Sequence, residues 1–185
     1  LDRFQWRRSA DSRCFCSFLG INLSGVDDGT LLRKPFNATL LCISLRFFTV
    51  YGPRQRPDLA IHAFTRSILQ GTPIRQFGDG STRRDYTYIA DIVDGVVRAL
   101  DRCAGYEIYN LGESATTSLS ELVQWIGEAC GREVLLDRQP MQSGDVVLTC
   151  ADVTKARAKL GYAPSVPVKD GLARFVAWYR ARHGL

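Results

Sequence analysis

The chain has 185 residues, of which 45% are hydrophobic and 23% charged, and its formal net charge is +5. That length suffices for one domain with a real core, and the composition excludes a disordered or fibrous chain. The arginine pairs at 7–8 and 83–84 have acids nearby and form no basic face interleaved with aromatics, which argues against nucleic acid as partner.

No run approaches the ~18 apolar residues that span a bilayer, and Leu1-Asp2-Arg3 is unlike the start of a signal peptide, so no membrane partner and a cytoplasmic location are expected. The six cysteines, at 14, 16, 42, 103, 130 and 150, contain no CxxC pair and have little histidine beside them. They carry no zinc signature and are expected to be reduced and structural.

Residues 1–39 show neither periodicity nor caps, and this segment is left unassigned, as aberrant or disordered sequence. Patterned sequence begins near residue 40. The apolar run 40–48 predicts a buried strand, with Tyr51-Gly52-Pro53 as the turn behind it. Pro57 and Asp58 open a helix with apolar residues at 60, 61, 64, 68 and 69, ended by Gly71. Residues 74–77 are extended, 78–81 a turn, and 85–89 a strand by their aromatic and β-branched content. Asp91 is the expected N-cap of the next helix, with Ile92, Val93, Val96, Val97 and Leu100 on its buried face.

Residues 107–111 read as a strand broken at Gly112. Ser118 and Glu121 form a capping box ahead of Leu122, Val123, Trp125, Ile126 and Ala129, with Gly131 as stop. Residues 134–136 predict a strand, 153–160 a short helix ended by Gly161, and 168–182 an amphipathic helix burying Leu172, Phe175, Val176 and Tyr179. The alternation predicts an α/β fold.

Four motifs stand in order along this region. RFFTVYGPRQRPDLAIHAF at 46–64 carries a polar residue and a tight turn to the end of a buried strand, where open α/β sheets bind ligands. FGDGSTRRDYTYIADIVDGVVRAL at 77–100, YNLG at 109–112, and SGD at 143–145 with ADVTKARAKLGYAP at 151–164 follow it. Together they resemble the NAD-dependent epimerase/dehydratase family of extended short-chain dehydrogenases, most closely the UDP-glucuronate and UDP-glucose 4-epimerases. The resemblance implies the C-terminal part of a Rossmann-like doubly wound sheet over 40–185, with a smaller substrate-binding lobe. It also implies a UDP-sugar substrate, NAD as cofactor and assembly as a homodimer.

Site residues follow from the same resemblance. Arg84 matches the arginine that contacts the substrate diphosphate, a task suited to a guanidinium fork. Asp145 matches the acid that accepts the ribose hydroxyls. Gln142 stands where some UDP-galactose epimerases have arginine and where glutamine is familiar in UDP-glucuronate relatives. Thr49 and Arg56 match positions near the C5 substituent of the sugar, where a hydroxyl and a cation complement a carboxylate. Arg83 is expected to point away from Arg84, since neighbours on a strand face opposite sides.

Such an epimerase needs a glycine-rich turn under the NAD pyrophosphate and a tyrosine with lysine four residues on. No GxxGxxG or GxGxxG occurs here, and none of the seven tyrosines has that lysine. No catalytic residue is therefore assigned, and this chain alone is expected neither to retain NAD nor to turn over. A nucleotide-sugar 4,6-dehydratase and a non-catalytic sugar-nucleotide-binding module are the alternatives.

Overall fold

The computed structural model describes residues 17–20, 42–102, 104–141 and 144–185. In chain order, strand β1 (Ser17–Gly20) is followed by β2 (Cys42–Phe47), β3 (Thr49–Tyr51), helix α1 (Ala60–Gln70), β4 (Ile74–Phe77), β5 (Arg83–Arg84) and β6 (Tyr86–Tyr88). Then come α2 (Ile89–Asp101), β7 (Tyr106–Leu111), β8 (Thr117–Ser118), α3 (Leu119–Cys130), β9 (Leu136–Gln139), α4 (Thr154–Leu160) and α5 (Val168–His183).

The central sheet has the order β1-β2-β7, with β2 and β7 parallel in the register Cys42↔Tyr106 to Phe47↔Leu111 and α2 on the connection between them. Parallel pairing requires such a crossover, so this is the α/β arrangement expected from the sequence. Strand β1 pairs antiparallel with β2 on its other side. It lies in the segment left without an element, and its stabilisation by backbone pairing has no period to betray it; the rest of 1–39 falls outside the described residues. Three small pairings complete the fold, β3 with β6, β4 with β9 and β5 with β8.

Two apolar clusters divide these elements. Ile43, Leu45, Tyr109 and Leu111 of the central sheet pack on Ile92, Ala99, Ala156, Leu160 and Tyr162. Tyr51, Ile61, Ile68, Leu122, Ile126, Leu172 and Phe175 form the other, where α1, α3 and α5 meet. The capping box forms as expected, Ser118 accepting from the Glu121 N–H and Glu121 accepting from the Ser118 N–H. Gly71, Gly131 and Gly161 all end their helices.

Several boundaries differ from expectation for identifiable reasons. Helix α1 starts at Ala60, because residues 57–59 form a turn with the Leu59 N–H bonded to the Arg56 carbonyl. The strand expected at 134–136 lies at Leu136–Gln139, in register with β4. The strand expected at 85–89 is broken at Asp85 and ends at Tyr88, which caps α2 in place of Asp91. The Asp91 carboxylate instead accepts from the Ser165 and Val166 N–H groups.

The face of α2 is rotated as well. Asp91, Ile92, Gly95 and Ala99 are buried, while Val93, Val97 and Leu100 are 52%, 49% and 40% exposed. The helix approaches the sheet at Gly95, where an added Cβ would come within 2.8 Å of Leu111 and 3.0 Å of Tyr162. Close approach favours small inward residues, so Val93 and Val97 turn outward while Val96, as expected, packs partly against the core.

Asp85 ties the pieces together. Fully buried, its carboxylate accepts from Thr87 Oγ1 at 3.0 Å, from the Glu113 and Ser114 N–H groups at 2.8 and 3.0 Å, and from the Ala151 N–H at 3.0 Å. Its carbonyl accepts from the Thr49 N–H at 3.0 Å. Beside it, Glu113 has one carboxyl oxygen buried without a hydrogen-bond partner among the described residues. Burial, followed by the neighbouring Asp91 and Asp85, pushes its carboxyl from 4.5 up to about 7, with Arg157 opposing.

Two outcomes are expected. Asp85→Asn places an amide NH₂ against backbone donors and should lower the unfolding free energy by about 2–3 kcal/mol in denaturant titration. Glu113 binds its proton more tightly folded than unfolded, so its contribution is present below pH 4.5 and is lost as pH rises to about 7. Glu113→Gln should remove that component, gaining stability relative to the wild type between pH 5 and pH 8; a constant difference across this range would show that Glu113 does not titrate there.

Candidate substrate-binding site

The pleat separates the two arginines of β5. Arg83 donates to Thr116 through Nε at 3.0 Å and Nη2 at 2.7 Å and lies 3.5 Å from Glu121, so it fastens β5 to the start of α3. Arg84 reaches the other way. Its Nη2 donates to Asp145 Oδ1 at 2.6 Å and its Nη1 to the Arg83 carbonyl at 3.1 Å.

Asp145 is brought there by backbone pairing. The Arg83 N–H donates to the Val147 carbonyl at 2.8 Å, and the Thr149 N–H donates to the Arg83 carbonyl at 3.1 Å, which lays residues 147–149 along β5. The arginine and the acid, 61 positions apart in the chain, therefore meet at the surface with side chains 22% and 36% exposed. Arg84 does not pair with Asp85, whose carboxylate is occupied in the interior.

Tyr86 lies beneath this pair, 6% exposed. Burial pushes its phenol up to about 12, with Arg84 drawing it down and Asp145 adding to the rise. Thr49 is the β-partner of Tyr86 and is half-buried. Strands β3 and β6 thus place Thr49 beside Tyr86, two residues on from Arg84.

Arg56 carries an ion pair of its own. Its Nη2 is paired with Asp58 Oδ2 at 2.9 Å, both side chains are largely exposed, and it makes no contact with the Arg84–Asp145 pair. The turn at 57–59 accounts for this, since it holds Asp58 close behind Arg56. Arg54 is exposed, with a backbone φ of 66°. Gln142 lies outside the described residues, as do Ser143 and Cys103.

Sequence reading missed Asp85, Tyr86 and Glu113 as contributors. Only the unusual Arg-Arg-Asp run before an aromatic strand hinted at Asp85, since a carboxylate between buried aromatics requires several donors.

Residues 37–112 match the model of the NAD dependent epimerase/dehydratase family. A probable UDP-glucuronate 4-epimerase of Rhizobium meliloti is 39% identical over 155 residues, covering 74% of this chain and 46% of the relative. An uncharacterised protein of Methanocaldococcus jannaschii is 43% identical over 137 residues, covering 74% of this chain and 42% of its own length. The chain thus spans about half the length of the curated relatives it matches.

Among solved structures, the UDP-glucuronic acid 4-epimerase of Bacillus cereus, in complex with UDP-glucuronic acid and NAD, is similar with a TM-score of 0.73 and 34% identity, over 79% of this chain and 47% of that one. The UDP-glucose 4-epimerase of Thermotoga maritima with UDP-glucose gives a TM-score of 0.72 and 33% identity, over 76% and 46%. Motif order, fold and sequence similarity agree, and the chain belongs to the NAD-dependent epimerase/dehydratase family.

Proposed function

We propose that this chain carries the UDP-sugar-binding side of an epimerase acting at C4 of the sugar, with UDP-glucuronate or UDP-glucose as substrate. The Arg84–Asp145 pair at 2.6 Å carries this reading, because it joins a diphosphate-binding guanidinium to a hydroxyl-accepting carboxylate on one open face. Arg84 holds the diphosphate, Asp145 turns to the ribose hydroxyls, and Thr49 lies toward the sugar. Gln142 and Arg56 belong to the same reading, Arg56 after release from Asp58. A homodimer in the cytoplasm completes it.

NAD would supply the hydride chemistry of such a reaction. The residues of this chain do not fit its pyrophosphate, since no glycine-rich GxGxxG or GxxGxxG turn that would cradle it occurs in the sequence. No step is therefore assigned to this chain beyond binding and orienting the nucleotide sugar. A non-catalytic sugar-nucleotide-binding module is the alternative reading, motivated by the missing glycine turn and tyrosine-lysine pair.

Calorimetric titration with UDP tests the site. Arg84→Ala should weaken binding by about 1.5–3 kcal/mol, the scale of a lost charge-assisted hydrogen bond. Asp145→Asn keeps an acceptor oxygen and should cost about 1 kcal/mol, while Arg54→Ala should change affinity by about 0.5 kcal/mol or less. Equal losses at Arg54 and Arg84 would overturn the assignment. Denaturing the purified chain should release no NAD, and the chain alone should show no epimerase turnover; stoichiometric NAD in the released material would contradict this and favour the complete enzyme over the module.

A further inference from the structure

A cleft of about 530 Å³ opens between α3 and the β4–β9 ribbon, a volume suited to a small-molecule ligand. Neither Arg84 nor Asp145 lines it. Its inner wall holds Gln76, which is only 3% exposed. Strand β4 alternates, with Ile74 and Gln76 inward and Arg75 outward, so pattern alone asks for an apolar side chain where this carboxamide stands.

Gln76 and Ser120 both line this cleft, on facing walls. The carboxamide lines the cleft wall, where its donor and acceptor can meet a ligand. Gly80 gives the amide its place: with φ at +85°, an added Cβ there would come within 2.9 Å of Gln76 Nε2 and 2.2 Å of Ser120 Oγ.

The charges around the cleft are unequally committed. Asp79 accepts from the Ser81 N–H at 2.9 Å and hydroxyl at 2.6 Å, and Glu128 is held by Lys169 at 2.7 Å and Gln124 at 2.9 Å. Arg132 and Arg138, exposed on the rim, have no carboxylate partner among the described residues. Arg138 is the β-partner of Gln76, so guanidinium and amide share one face of the ribbon. Val123 and Val134 supply apolar walls.

We propose that this cleft is a second ligand site, for a nucleoside monophosphate whose base presents an adjacent donor and acceptor. A carboxamide offers the complementary acceptor and donor, as it does to N6 and N7 of adenine, and the free guanidinium groups suit a phosphate. The base lies between the valines against Gln76, and the phosphate lies at Arg132 and Arg138.

AMP is the probe, titrated into the full chain labelled with ¹⁵N. Saturation should shift the Gln76 side-chain amide resonances, and adenosine and ribose 5-phosphate should each bind more weakly than AMP. Gln76→Leu should weaken AMP at least tenfold, because it removes the donor and acceptor offered to the base. Arg138→Ala should weaken AMP severalfold at a surface position that leaves folding unchanged, and Arg84→Ala should not alter AMP binding. An unmoved Gln76 amide, equal binding of AMP and inorganic phosphate, or undiminished AMP binding in both cleft variants would overturn the site.

Discussion

The Asp85 carboxylate lies where no water reaches it, so its stability as a charged group depends on donors supplied by the protein. Those donors come from three distant places: Thr87 on β6, the Glu113 and Ser114 amides after β7, and the Ala151 amide ahead of α4. Its own carbonyl holds the start of β3 through Thr49. The ends of the two parallel strands are thereby tied to the strand that carries Arg84. Arg84 is the residue immediately before this anchor, so the buried carboxylate fixes the backbone from which its side chain departs.

Local signals were legible in the sequence and long-range ones were not. The capping box at Ser118 and Glu121 and the helix stops at Gly71, Gly131 and Gly161 involve partners within a few residues, and they stand where the pattern placed them. Asp91 looked equally like a local cap, yet its carboxylate serves amides at 165 and 166, more than seventy positions away. The α2 face failed for a similar reason. Hydrophobicity favoured Val93, Val97 and Leu100 as core, but the contact of Gly95 with Leu111 and Tyr162 decides which side approaches the sheet. A period reports that a helix has a face, and the neighbour decides which face is used.

The candidate site shows the same division. Resemblance supplied Arg84 and Asp145, which the structure brings together, and also Arg56, whose guanidinium is taken by Asp58. Spacing could not reveal that pairing, since Arg56 and Asp58 are joined by a turn where a helical first turn was expected. Tyr86 was hidden because a buried aromatic on a strand is ordinary core; its importance comes from lying beneath an ion pair assembled by the distant segment 147–149.

Stability does not explain why Arg84 and Asp145 are held together. With both side chains still partly open to water, such a pair contributes about 0–1 kcal/mol once solvent screening is allowed for. Under the proposed function, exchange of the carboxylate for phosphate oxygens would therefore sacrifice little, and the guanidinium is already braced on the Arg83 carbonyl. A deeply buried pair would be too costly to break, and an arginine without a partner would have to be ordered at the moment of binding. The intermediate exposure of this pair meets both requirements, and it does so beside the strand pairing of Thr49 with Tyr86.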